Sequence, residues 1–156
     1  MLQYVWNGET GRRKPRASFA GKGTGAKMTF DEFTKIAEEE LSLLPDYVHE
    51  ELNGGVLTDP GVYLHPKRLA DDLYILGTYT TDPIMGKQIV LYYGSFMACM
   101  RNSGEDEIRA QIRETLRHEF RHHLETRAGL FREGSLVEED AQTMRKYYLK
   151  HRPRRE

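Results

Sequence analysis

The sequence predicts an α+β fold, in which a small, largely antiparallel sheet packs with one N-terminal helix and two C-terminal helices. Three observations predict it. Residues 28–45 repeat apolar side chains every three or four positions, residues 54–96 hold three short β-forming runs split by turn chemistry, and residues 103–150 return to helical periodicity. The order is one helix, then the sheet, then two helices. It gives a single domain over residues 28–150, with a basic, Gly-rich extension (1–27) before it and a polar tail (151–156) after it.

In "MTFDEFTKIAEEELSLLP" (28–45), Phe30, Phe33, Ile36, Ala37, Leu41 and Leu44 form one apolar stripe. Thr29 is placed to cap the helix and Pro45 stands just past its end. The β-forming runs are "GGVLTD" (54–59), "DLYILGTYT" (72–80) and "KQIVLYYGSF" (87–96). "TDPIMGK" lies between the last two, so they are expected to form an antiparallel hairpin, while "PGVYLHPKRLAD" reads as a loop. In the following helix Ser103 is the expected N-cap, Glu105 to Glu107 suit the positive end of the dipole, and Gly129 supplies a stop. After "LFREGS", "LVEEDAQTMRKYYLK" forms the last helix. The N-terminal extension (1–27) has few apolar positions after Trp6, too few to offset ordering entropy, and is expected to be mobile.

Composition narrows the function classes. A net charge of -1 gives no reason to expect a nucleic-acid or membrane partner. One cysteine, Cys99, excludes an internal disulfide framework and fits a reducing cytoplasm. No apolar run approaches the roughly 20 residues of a membrane span, and the N-terminus lacks the basic-then-apolar order of a secretory signal. A cytoplasmic protein is expected; nothing in the chain fixes an oligomeric state.

The chemistry concentrates in "ETLRHEFRHHLETRAG" (114–129), where His118-Glu119-Phe120-Arg121-His122 is an HExxH. Four residues apart on a helix is one turn on one face, so both imidazoles can reach one ion. Zinc takes neutral imidazole nitrogens, and a glutamate beside the first histidine can take a proton from water activated by the metal. On a helical wheel Ile108, Ile112, Leu116, Phe120 and Leu124 form the apolar stripe, with His118 and His122 on its flank and Glu119 at the core's edge. His123 falls on the stripe and reads as a hydrogen-bonded core histidine.

A catalytic zinc needs a third protein ligand. In the last helix Val137, Ala141, Met144 and Tyr148 define an apolar face that also carries Asp140. A carboxylate there needs a cation or a hydrogen-bond partner. Asp140 is therefore the leading third ligand, with orientation of a ligand histidine through its other nitrogen as the competing role. Glu139 ranks next. Glu125 follows, because it stands about 10.5 Å along the axis from His118.

With these residues in view, the chain from about Met28 to Tyr148 resembles the small zincin-like metallopeptidase family of bacteria, in its Gram-positive branch. The resemblance rests on "FDEF", "LNGGV", "DLYILGTY", "IVLYYGSF", "LRHEFRHHLE" and "EDA", in that order. It implies a minimal zincin-like fold, one zinc ion, His118 and His122 as ligands and Glu119 as the catalytic base. Other branches extend the motif to HExxHxxGxxD. Here Glu125 and Ala128 occupy the glycine and aspartate positions, so the helix is expected to continue past the usual turn.

The implied activity is peptide hydrolysis, with a peptide or flexible protein segment as substrate, aligned by an edge strand of the 72–96 hairpin. Tyr92, Tyr93, Tyr147 and Tyr148 are candidates to stabilise the oxyanion. The competing function is a non-catalytic, zinc-stabilised module that holds a peptide or protein partner on its tyrosine-rich hairpin.

Overall fold

The computed structural model describes residues 2–6, 27–131 and 134–152. Its elements are β1 (Leu2–Trp6), α1 (Phe30–Ser42), a 3-10 turn (Asp46–His49), β2 (Gly55–Asp59), β3 (Tyr74–Asp82), β4 (Gly86–Tyr92), α2 (Tyr93–Cys99), α3 (Glu105–Ala128) and α4 (Leu136–Lys150). The predicted α+β class is the one observed. Among the described residues, no helix is long and apolar enough to cross a membrane.

The sheet runs β1-β3-β4-β2. β3 and β4 form the expected antiparallel hairpin, Gly77 facing Leu91 and Tyr79 facing Ile89. β2 joins β4 in parallel, so the sheet is mixed, with two of its three pairings antiparallel.

Two expectations, one about the N-terminal extension and one about the hairpin, are corrected by this topology. Leu2–Trp6, read as part of a mobile extension, pairs antiparallel with β3. Averaging over the whole extension hid a short run of strand formers, Leu2, Tyr4, Val5 and Trp6. Most of the remaining extension lies outside the described residues. Because β1 covers β3 and β2 covers β4, the hairpin is interior, and β1 and β2 are the sheet's outer strands.

The third run ends as a strand at Tyr92 and continues as α2, correcting the predicted strand to Phe96. The aromatics that suggested a strand have a helical spacing. Tyr93 and Phe96, three apart, both meet Phe33 of α1, at ring-centroid distances of 5.5 and 5.0 Å.

The main core joins Phe33, Ile36 and Ala37 of α1, Leu76 and Tyr79 of β3, Ile89 and Leu91 of β4, Phe96 of α2, and Ile108, Ile112, Leu116 and Phe120 of α3. Leu124, the last residue of the predicted stripe, is half-buried against it. Each fully buried side chain of this size contributes about 1.5–3 kcal/mol. α1 starts at a capping box in which the Thr29 side chain accepts from the Glu32 amide and the Glu32 carboxylate accepts from the Thr29 amide. Buried Glu40 clamps α1 to α3 through Arg113, at 2.7 and 3.0 Å.

α3 begins one residue later than predicted. Gly104 is the N-cap and makes no side-chain capping bond, so Ser103 is not the cap. The acidic first turn, Glu105 to Glu107, lies at the positive end of the helix dipole. At its other end Gly129 closes the helix with φ 68°, a left-handed conformation glycine adopts without strain.

α4 docks by a small second cluster in which Tyr147 packs with Leu73, just before β3, and with Ile75 of β3. Its buried positions are Leu136 and Tyr147, whereas Ala141 is exposed, so the face is rotated from the predicted one. The polar tail begins tied down. His151 bonds Asp72 at 2.7 Å, and residues 153–156 lie outside the described residues.

Candidate metal centre

α3 runs unbroken past Glu125 to Ala128, as the missing glycine predicts. One helical turn brings the His118 and His122 rings to a centroid distance of 4.9 Å. Asp140 of α4 meets both. His122 Nε2 stands 2.7 Å from Asp140 Oδ2, and His118 Nε2 stands 3.1 Å from Oδ1 and 3.2 Å from Oδ2. One donor atom from each of the three residues lies within 4.8 Å of the others.

The centre is graded in depth: the His122 side chain is 1% exposed, His118 15% and Asp140 29%. Burial pushes the Asp140 carboxyl up, but hydrogen bonds from His118 and His122 outweigh it and hold the group below its ordinary value of 3.8. Among the described residues, His122 Nδ1 is buried without a hydrogen-bond partner.

The other two proposed third ligands are held elsewhere. Arg121, inside the HExxH, bonds Glu125 Oε1 at 3.2 Å and Glu139 Oε1 at 2.8 Å. Glu125 Oε2 accepts the Leu136 amide at 2.8 Å, at the start of α4. Ser135 caps the same turn by accepting from the Glu138 amide. These contacts fix α4 across α3, which sets Asp140 over the histidines. Glu125 and Glu139 thus position α4 rather than join the donor group.

Glu119 is fully buried against β3. A Cβ added at Gly77 would stand 3.3 Å from Glu119 Oε1 and 2.9 Å from Thr115 Cγ2, so the helix approaches the strand only because that position lacks a side chain. Sequence reading passed over Gly77; its signal was a glycine inside a strand-like run, which marks close backbone approach.

His123 is the hydrogen-bonded core histidine its stripe position predicts. Nε2 lies 2.7 Å from the Glu50 carbonyl and Nδ1 lies 2.9 Å from the Tyr79 hydroxyl. A carbonyl only accepts, so Nε2 carries the proton and Nδ1 accepts from Tyr79. Burial pushes its pKa down, which keeps the ring neutral.

Three of the four candidate tyrosines are committed to structure. The Tyr93 hydroxyl donates to the Met28 carbonyl and Tyr148 to the Lys67 carbonyl. Tyr147 accepts from the Leu69 and Ala70 amides and donates to Asp72. Tyr92 bonds Thr78 at 3.1 Å and packs on Tyr63. Burial raises its phenol and the Thr78 bond opposes the rise.

A mixed sheet laid over a helix that carries two histidines one turn apart, with a buried glutamate between them, defines a zincin-like class. A family model for zincin-like metallopeptidases matches residues 69–142, which include β3, the HExxH and Asp140. Among solved structures, a conserved hypothetical protein from Thermo thermophilus is similar at 31% identity. That match covers 65% of this chain and 98% of the other, with a TM-score of 0.53. No curated protein matches this sequence. The chain belongs to the zincin-like metallopeptidase family.

Proposed function

We propose that this protein is a zinc-dependent metallopeptidase that hydrolyses peptide bonds in short or flexible peptides, with Glu119 as general base. The observation that carries this reading is the convergence of two imidazoles and one carboxylate beside a buried glutamate. The donor set fits the group. Zinc takes imidazole nitrogen and carboxylate oxygen, and three protein donors leave a position open for chemistry. His118, His122 and Asp140 would hold it.

A zinc ion held there supplies Lewis acidity to a water molecule and to the scissile carbonyl. Glu119 follows His118 in the chain and sits in a low-dielectric site, where it takes the proton of the attacking water and returns it to the leaving amine. The Tyr92 hydroxyl, bonded to Thr78, is the candidate donor to the developing oxyanion, since the hydroxyls of Tyr93, Tyr147 and Tyr148 are bonded elsewhere. A small domain offers a shallow cleft, which suits extended peptides and flexible protein segments.

A non-catalytic binding module is the second reading. The complete burial of Glu119 favours it, because a base sealed from solvent meets no water.

Zinc binding and peptide-library hydrolysis separate the two. Expected for the peptidase are one zinc per chain, at least ~10-fold weaker binding in Asp140→Asn and His118→Ala, and at least ~100-fold slower hydrolysis in zinc-loaded Glu119→Gln. Zinc bound with no Glu119-dependent cleavage supports the binding module, and a chain that takes up no zinc overturns both.

A further inference from the structure

β3 is the strand that lies against the candidate base, at Gly77. One edge of β3 is closed by β4. The other carries Leu2–Trp6, antiparallel, with Tyr4 opposite Gly77 and Gln3 opposite Thr78. β1 also neighbours α3, so its backbone follows the seam between the HExxH helix and the strand above it. An extended peptide that reaches Glu119 by pairing with β3 must take the line that Leu2–Trp6 takes.

We infer that the Tyr74–Tyr79 edge of β3 is the docking line for an extended peptide substrate, and that β1 is its occupant in cis, which leaves before substrate enters. The identity of the visitor rests on the peptidase reading; the displacement of β1 does not.

The pairing has the features of a replaceable strand. It is five residues long and lies at the sheet's edge, so it holds by one row of ladder bonds. The row is broken where the register passes from Gly77 opposite Tyr4 to Ile75 opposite Val5, which leaves Leu76 as a bulged residue. Main-chain pairing tolerates many sequences, so an edge that accepts one strand accepts another.

Among the described residues, burial across the site is uneven. Glu119, beneath β3, is sealed, while His118 and Asp140 keep partial exposure. Trp6 and Phe30 belong to the same chain and are joined through positions 7–29, so β1 returns unimolecularly and competes at a local concentration on the order of millimolar. If the closed form holds about 99% of molecules, a peptide binds about 100-fold more weakly than it would to the open edge.

The test uses the full chain. Successive strand amides point to opposite sides, so Tyr4→Pro/Val5→Pro removes a ladder donor whichever one pairs. The probe is a fluorescent LQYVW peptide, binding to wild type and to this variant. At least ~10-fold tighter binding to the variant is expected, and equal binding overturns the inference. Amide exchange on the wild type gives a readout that needs no variant to fold. The β1 amides should exchange at least ~10-fold faster than those of β4, and exchange at the β4 rate overturns the inference.

Hydrolysis of a quenched peptide separates the two readings. A rate gain of at least ~10-fold in the proline variant, lost when Glu119→Gln is added, supports both. Tighter docking without Glu119-dependent cleavage supports the displaceable strand and overturns the peptidase reading alone.

Discussion

At Gly77 the strand and the HExxH helix meet with no room for a side chain. An alanine there would set its methyl 2.9 Å from Thr115 Cγ2, and neither backbone can retreat without loosening the core around Ile112 and Leu116. Gly77→Ala should cost about 1–3 kcal/mol, read as a lower urea midpoint at unchanged slope. Because the same methyl would press on Glu119, hydrolysis should fall further than the loss of folded protein explains. His123 offers a contrasting case. His123→Ala leaves the buried Tyr79 hydroxyl without its partner, at a cost of about 1–3 kcal/mol. Zinc stoichiometry should be unchanged in that variant, since His123 is held away from the ion-binding donors. At this scale much of the site was readable. The four-residue spacing of His118 and His122, and an aspartate on an apolar helical face, needed only helix geometry. Gly77 was not readable as a site residue, because its role comes from a strand meeting a helix that lies well downstream in the chain, and Tyr92 was readable only as one of four candidate tyrosines.

Individual elements are joined by charges whose pH dependence can be worked out. Arg113 first, and Arg109 with it, holds the Glu40 carboxyl below its ordinary value of 4.5 against the opposing effect of burial. A depressed carboxylate stabilises the fold above its unfolded value, and that contribution disappears as pH falls through the folded one. Thermal stability should therefore drop steeply below about pH 4.5, and Glu40→Gln should flatten that part of the profile. At neutral pH the variant should lose about 1–2 kcal/mol, a figure tempered by the exposure of Arg113.

The end of α4 behaves differently. A hydrogen bond to the Tyr147 carbonyl and one to Asp72 raise His151 above 6.5; bonds from Tyr147 and His151 outweigh burial and lower Asp72 below 3.8. The imidazolium contribution is complete below 6.5 and fades as pH rises through the raised value. The carboxylate contribution is present above 3.8 and fades on acidification. This anchor should be firmest between about pH 4 and 6.5. Amide exchange near Lys150 should quicken on either side of that window, and Asp72→Asn should remove the dependence. Elements set by their own periodicity, α1, α3 and α4, were legible with boundaries off by a residue or two. α2 was not, because aromatic residues favour strands locally and only contact with Phe33 of α1 selects the helix. The parallel partnership of β2 and the pairing of β1 depend on distant strands, to which no local pattern points.

For the molecule as a whole, the proposed ion is a cross-link between α3 and α4. Zinc at about 100 times its dissociation constant should add about 2.7 kcal/mol of stability. In a chain of this size that raises the melting temperature by about 5–10 °C, and a chelator should reverse the gain. Asp140→Asn should show little of the rise. The α+β class followed from the order of periodicities, and the centre of the molecule from one helical motif. The closure of both hairpin edges did not follow from either.

The third donor reaches the histidines from a different helix, across a turn stitched by Arg121, Glu125 and the Leu136 amide. A ribosome therefore releases the imidazole pair well before the carboxylate that completes it. A nascent chain that has not yet exported Asp140 owns only two of three donors, so the trio cannot close until α4 has emerged and found its seat.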